Sequence, residues 1–422
     1  MKELEYPFDA AYIIKKRKSL KKALLADGTS RIRKKIAVFG GSTTSDIVKT
    51  LELFLLDAGI EPEFYESEYA QYFQDAMFPD ETLLSFKPDI VFIHTTNRNV
   101  TDWPEMTDTT EQIDEKLHTE INRFTAMWKS IAEKFHCPII QNNFEMPLYR
   151  LLGSRDAWDI HGRTNFLTRL NEAFYAYARE NESFYIHDLN FVSADYGLKE
   201  WSNPLFWNMY KYAMCFEAIP SFAFSVSHII KSIFGKNKKA LALDLDNTLW
   251  GGVVGDDGVD GIEIGQETGV SQSYYEFQTY VKQLKSLGIV LTVCSKNDHE
   301  NAIAGLNHPE GALRPDDFVI IKANWENKDR NIAETAAELN ILPDSIVFAD
   351  DNPAEREIVR TQIKGAAVPD MDGVENYITT IDRSGFFEVT TFSEDDLKRN
   401  EMYKKNALRA AEMASVGDYY DY

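Results

Sequence analysis

The sequence predicts an α/β protein made of two doubly wound, parallel-sheet domains. Apolar runs of strand length alternate with amphipathic helical stretches along most of its 422 residues. The alternation restarts after a short polar join, FGKNKKA, at 234–240. With 44% hydrophobic and 13% aromatic residues the chain can bury large cores. At about 150 residues per domain, its length suits two or three domains.

The first series starts at KKIAVFGGS, an apolar run ending in Gly-Gly, the shape of a buried parallel strand and its turn. SDIVKTLELFLLDAG follows as an amphipathic helix that Gly59 ends. EPEFYES, PDIVFIHTT, CPIIQNN and SFYIHDL are further strands, with helical patterns near 112–135, 164–180 and 206–233. The second series opens with KALALDLDN. The helix SQSYYEFQTYVKQLKSLG follows, burying Tyr274, Phe277, Val281, Leu284 and Leu287 at three- and four-residue steps. GIVLTVCSKND, FVIIKANW and SIVFADDN supply three more strands. These patterns divide the chain into a basic head (1–35), a first α/β domain (36–233), a second (239–385) and a helical C-terminal extension (386–422). That extension is expected to dock a partner or copy, or to lead into a further domain.

Charge narrows the function. The formal net charge is −22. That disfavours a general binder of nucleic acid or of anionic lipid. Residues 1–35 are the exception: 11 basic against 4 acidic residues give +7, and the other 387 residues carry −29. This head, with KKRKSLKKALL, is expected to fold back on the acidic body or to offer a docking patch. Cys137, Cys215 and Cys294 form no CxxC and no metal-type spacing, so neither a disulfide framework nor a zinc site is expected. The N-terminus lacks an apolar leader core and no apolar run reaches about 18 residues. A cytoplasmic protein without nucleic-acid or membrane partners is the expectation.

In open parallel sheets the reactive crevice lies at the carboxyl ends of the strands. Asp244 and Asp246 close the first strand of the second domain, and Asp350 and Asp351 close a later one. Four converging carboxylates repel one another unless a cation sits among them. An oxygen-only set suits Mg²⁺. Such an ion also bridges to phosphate oxygens, which favours phosphate chemistry.

These residues resemble a known superfamily. DLDNTLW (244–250) is similar to motif I, DxDxT, of the haloacid dehalogenase (HAD) superfamily. TVCSKN (292–297), Lys328 in NWENKDRNI and VFADDNPAE (347–355) fit its other three motifs in order. The resemblance implies that Asp244 attacks phosphorus to form an aspartyl-phosphate, and that Asp246 protonates the leaving oxygen and then activates water. It implies that Ser295 hydrogen-bonds the phosphoryl group and that Lys328 offsets its charge. It implies Mg²⁺ held by Asp244, the Asp246 carbonyl and Asp351, with Asp350 orienting the site. Thr248, Lys296 and Asn297 are candidate substrate or loop-ordering residues. Cys294 reads as a buried strand residue. Only 48 residues separate Asp246 from Ser295 and 32 separate Ser295 from Lys328. Neither interval holds a folded cap, and WGGVVGDDGVDGIEIGQETG suits a short hairpin flap.

The longer run DLDNTLWGGVVGDDGVDGI, with NWENKDRNIAETAAELNI, resembles the FkbH-like subgroup, HAD subfamily IIIC. That resemblance implies an SGNH-hydrolase-like (flavodoxin-like) first domain and a capless HAD phosphatase domain with a Rossmann-like core. It implies a Mg²⁺-dependent phosphohydrolase or phosphotransferase acting on a phosphorylated metabolite or carrier-bound group. A second implied activity is glyceryl transfer from bisphosphoglycerate to an acyl carrier protein. A third reading is a scaffold with a silent HAD domain. Ser42 stands where an SGNH nucleophile stands, and Asn97 near an oxyanion-hole position. The closing segment, EAIPSFAFSVSHII, lacks Asp-x-x-His and Ala70 replaces an expected glycine. No active triad is therefore expected, and Ser42 reads as a turn residue. His94, His161, His187 and His228 are expected to be packed or surface residues.

Overall fold

The structure is a computed structural model and describes residues 1–420. Its strands are β1 Ile32–Gly40, β2 Ile60–Glu66, β3 Ile90–His94, β4 Ile139–Asn142, β5 Phe184–His187, β6 Ala240–Leu243, β7 Val290–Ser295, β8 Ile320–Ala323 and β9 Ile346–Ala349. They form two all-parallel sheets, ordered β2-β1-β3-β4-β5 and β8-β7-β6-β9, as the predicted fold class requires. The chain divides into two compact units, one holding Met1–Leu4 and Phe8–Phe234 and the other holding the rest.

In the first unit the central strands are apolar on both faces because helices cover both sides. Ile36 and Val38 pack into one core with Leu51, Leu55 and Ile230; Ala37 and Phe39 pack into the other with Phe124, Trp128 and Phe174. The long helix Thr110–Phe135 starts at a capping box, with Thr109 Oγ1 accepting from Gln112 N–H and the Gln112 side chain answering Thr109 N–H. The basic head folds back onto its own unit. It forms the helix Ala10–Ala26, whose Ile13, Leu20 and Leu24 are buried. Arg17 pairs with Asp46 at 2.6 Å and Lys21 with Glu52 at 2.8 Å, while Lys15, Lys18 and Lys22 stay exposed.

The predicted helix near 206–233 is two helices, Pro204–Tyr210 and Ile219–Ile233. Lys211 takes a left-handed conformation (φ 58°) that ends the first, and Pro220 begins the second.

In the second unit β6 carries the fully buried Ala-Leu-Ala-Leu. The helix Gly269–Ser286 buries Tyr274, Phe277, Val281 and Leu284 on one side. The expected hairpin flap is instead a strap across 251–263. One antiparallel bridge, Gly251 to Glu263, closes it, and a helical turn, Val254–Asp257, fills it. Strand pairing fails inside the strap because the Asp257 carboxylate takes the Val253 N–H and Gly252 sits at φ 91°. The extension contributes the helix Glu394–Tyr420. No described helix is long and apolar enough to cross a membrane.

Candidate active site

In the second sheet the chain builds outward from β6 to β7 and β8, then returns to place β9 on the other side of β6. The gap between β6 and β9 is therefore the switch point where open α/β sheets hold ligands. Asp244 is the first residue beyond β6, and Asp350 and Asp351 are the first beyond β9. The Asp244 N–H donates to the Ala349 carbonyl at 3.0 Å, which sets the two acidic segments side by side. Carboxylate oxygens of Asp244, Asp350 and Asp351 lie within 4.8 Å of one another.

Lys328 opens the helix Lys328–Glu338 and is 3% exposed. Its Nζ lies 3.0 Å from Asp244 Oδ1 and 2.5 Å from Asp350 Oδ2. Burial works against its charge, but Asp244 and Asp350 outweigh burial and hold the ammonium well above the usual lysine range. Burial pushes the Asp350 and Asp351 carboxyls up, and the Asp244 charge adds to both. One ammonium among three carboxylates leaves negative charge uncompensated. The donors are all hard oxygens, so the residues present fit a Mg²⁺ ion.

Asp246 is held on both oxygens. Its Oδ1 accepts from the Trp250 indole at 2.9 Å and from the Val254 N–H at 3.0 Å; its Oδ2 accepts from the Asn297 amide at 2.9 Å. Burial still raises this carboxyl above the usual aspartate range. Asn247 makes the turn beside it at φ 56°, and its carbonyl accepts from the Tyr274 and Tyr377 hydroxyls.

The other predicted residues divide. Thr248 Oγ1 accepts the Asp351 N–H at 3.2 Å, tying the first motif to the last. Ser295 is buried at the end of β7. Asn297 touches Asp246 rather than open solvent. Lys296 turns to Glu355, 2.6 Å away, in an ion pair. Cys294 is buried, and burial pushes its thiol up to about 12. Sequence reasoning missed Trp250 and Arg356. Arg356 is 4% exposed, and its Nη1 donates to the Asp350 and Asp351 carbonyls at 2.9 and 2.8 Å. The sole sequence signal for it is an arginine one turn into the helix Pro353–Gln362 after the acidic pair.

The first unit gathers polar residues at the same edge of its own sheet. Ser42 is 2% exposed and its Oγ has no hydrogen-bond partner; His228 Nε2 has none either. No Ser–His hydrogen bond joins them. Asn97 Nδ2 donates to the Glu145 and Met146 carbonyls, both at 3.4 Å. Histidines 94 and 187 belong to a buried chain: Ser225 Oγ to His187 Nε2, His187 Nδ1 to Asn142 Oδ1, and Asn142 Nδ2 to His94 Nδ1, at 3.0, 2.8 and 2.9 Å. With donors running in that order both rings are neutral, and burial pushes each down to about 3. His161 pairs with Asp159 at 2.8 Å.

The family model for the FkbH N-terminal domain matches residues 35–231. The chain is similar to the crystal structure of the N-terminal part of a Bacteroides fragilis protein containing a phosphatase domain, complexed with Mg. The identity is 30% and the TM-score 0.81, over 89% of this chain and 99% of that one. A gut microbial diltiazem-metabolizing enzyme matches at 12% identity and a TM-score of 0.31, over 51% of this chain and 52% of that one. No curated protein matches the chain.

Proposed function

Because the chain belongs to the FkbH-like family, we propose that its second unit is a Mg²⁺-dependent phosphatase of the HAD type acting on a phosphorylated small molecule. The observation that carries this reading is the crevice itself: Asp244 beside Asp350 and Asp351, with Lys328 buried among them. The Mg-complexed phosphatase-domain relative supports the choice of metal. Here Mg²⁺ would be held by the Asp244 and Asp351 carboxylates and the Asp246 carbonyl. When bound, it offsets charge on the phosphoryl oxygens.

The chain's own residues then divide the work. An Asp244 oxygen bonds to phosphorus as the bond from phosphorus to the leaving oxygen breaks. Asp246 gives its proton to that oxygen. Its burial supports the role, because burial shifts this carboxyl toward the acid form that donates. In the second half Asp246 takes a proton from water. The water oxygen attacks phosphorus, and the bond to Asp244 breaks. Lys328 keeps Asp244 aimed and balances its charge. Trp250 and Asn297 hold the Asp246 carboxylate in place from opposite oxygens.

The test is phosphate release from a panel of phosphorylated metabolites with Mg²⁺. Purified protein should release phosphate from at least one, and Asp244→Asn should lower that rate by about 10³-fold or more. No release across the panel, or release unchanged in Asp244→Asn, overturns the proposal.

A further inference from the structure

Trp325 is 70% exposed. It lies between the end of β8 and Lys328, in a loop that is fixed rather than slack. Asn324 N–H donates to the Ser295 carbonyl at 3.1 Å. The Asn324 side chain exchanges hydrogen bonds with Asn331, and its Oδ1 accepts the Glu326 N–H. The indole is fixed as well, since Nε1 donates to Asp298 Oδ1 at 2.9 Å. Holding a large apolar side chain in water costs free energy that a buried rotamer or a smaller residue would avoid. An indole already held in one orientation offers a ligand an apolar face with little further loss of side-chain freedom.

Its place follows from the bonds to Asp246. Asp298, which tethers Trp325, is the next residue after Asn297, which holds Asp246 Oδ2. The other oxygen, Oδ1, is held by Val254 N–H, and Val253 beside it is also exposed. Thus two exposed apolar side chains adjoin the groups that hold Asp246: Val253 precedes Val254 on the strap, and Trp325, on the loop after β8, bonds the residue that follows Asn297. Lys296, Asp298 and Glu326, close along the chain to Trp325 and its tether, are polar and not buried.

We propose that Trp325, together with Val253, forms the leaving-group subsite, and that the enzyme selects phosphate esters whose leaving group carries an apolar, aryl or alkyl, part. Trp325 is a specificity-determining residue, and this inference rests on the proposed phosphatase chemistry. In that chemistry Asp246 protonates the leaving oxygen, and the groups that hold its carboxylate carry these two side chains as neighbours, which is why the subsite is assigned to the leaving group.

The test compares 1-naphthyl phosphate with glycerol phosphate, each with wild type, Trp325→Ala and Trp325→Phe in the presence of Mg²⁺. Trp325→Ala should lower kcat/KM for the naphthyl ester about tenfold or more, mainly through KM, and change the glycerol ester less than twofold. Trp325→Phe should restore most of the loss. Equal losses on both esters, or no loss on either, overturn the proposal. If wild type turns over neither ester, the phosphatase reading has failed for these substrates. Calorimetric binding of 1-naphthyl phosphate to Asp244→Asn protein, with and without Trp325→Ala, then decides the subsite: weaker binding in the double variant upholds it and equal binding removes it.

Discussion

Lys328 is the residue on which the crevice turns, because it is the ammonium that faces both Asp244 and Asp350. Replacing it with methionine keeps the volume and leaves two buried carboxylates without their partner. Lys328→Met should cost about 3–5 kcal/mol in stability, read from urea denaturation, as well as activity. Asn297 makes a different prediction. Its amide holds one oxygen of Asp246 while Trp250 and Val254 hold the other. Asn297→Ala should lower kcat by about 10–100-fold in steady-state assays and leave KM for the phosphorylated substrate nearly unchanged. The acidic residues were legible in the sequence because each ends an apolar run. Trp250 and Arg356 were not. Trp250 reads as one more apolar residue after the motif, yet its indole N–H is spent on Asp246. Arg356 reads as a charged residue on an exposed helix, yet its guanidinium goes inward to the Asp350, Asp351 and Met371 carbonyls. A pattern of residue types cannot say which end of an amphipathic side chain is used.

Among the elements, the helix Ala10–Ala26 shows how charge and apolar spacing divide one segment. Its Ile13, Leu20 and Leu24 stripe is core, Arg17 and Lys21 flank that stripe with ion pairs, and Lys15, Lys18 and Lys22 point to water. Leu24→Ala should cost about 2–4 kcal/mol in chemical denaturation. Converting Lys15, Lys18 and Lys22 together to glutamine should change stability by less than about 1 kcal/mol. The strands were the most legible elements, since β3, β6, β7, β9 and the second half of β1 are buried runs flanked by turn residues. Short helices were the least. The turn Val254–Asp257 and the helix Pro204–Tyr210 depend on caps and left-handed residues, not on a repeating apolar face. The strap reads as a hairpin from its glycines, and side chains that take its N–H groups, Asp257 at Val253 and Asn247 at Gly252, divert it together with the left-handed Gly252.

At the scale of the whole molecule, the two units should answer acid differently. The first holds His94, His187 and His228 neutral and buried, with burial pushing the first two down to about 3 and His228 well below its usual range. The unfolded chain protonates these rings near pH 6.5. Their contribution to stability is therefore complete above pH 6.5 and is lost as pH falls toward 3. Glu145 acts oppositely: burial pushes it up to about 7 from 4.5, so its contribution is present below pH 4.5 and is lost as pH rises through 7. Three rings outweigh one carboxyl, so the urea midpoint of the first unit should fall between pH 7 and pH 5, and Glu145→Gln should steepen that fall. In the second unit the buried ammonium of Lys328 has another consequence. It is a resident counter-ion, built into the chain and present from synthesis, so the acidic strand ends have a cation before any metal arrives. Folding and metal loading are thereby separable, unlike in domains whose metal is their only cohesion. Prolonged EDTA treatment should stop turnover and lower Tm by no more than a few degrees, and added Mg²⁺ should restore the rate without refolding. An enzyme matured in this order can lie dormant as a finished fold and be switched on by the ion supply alone.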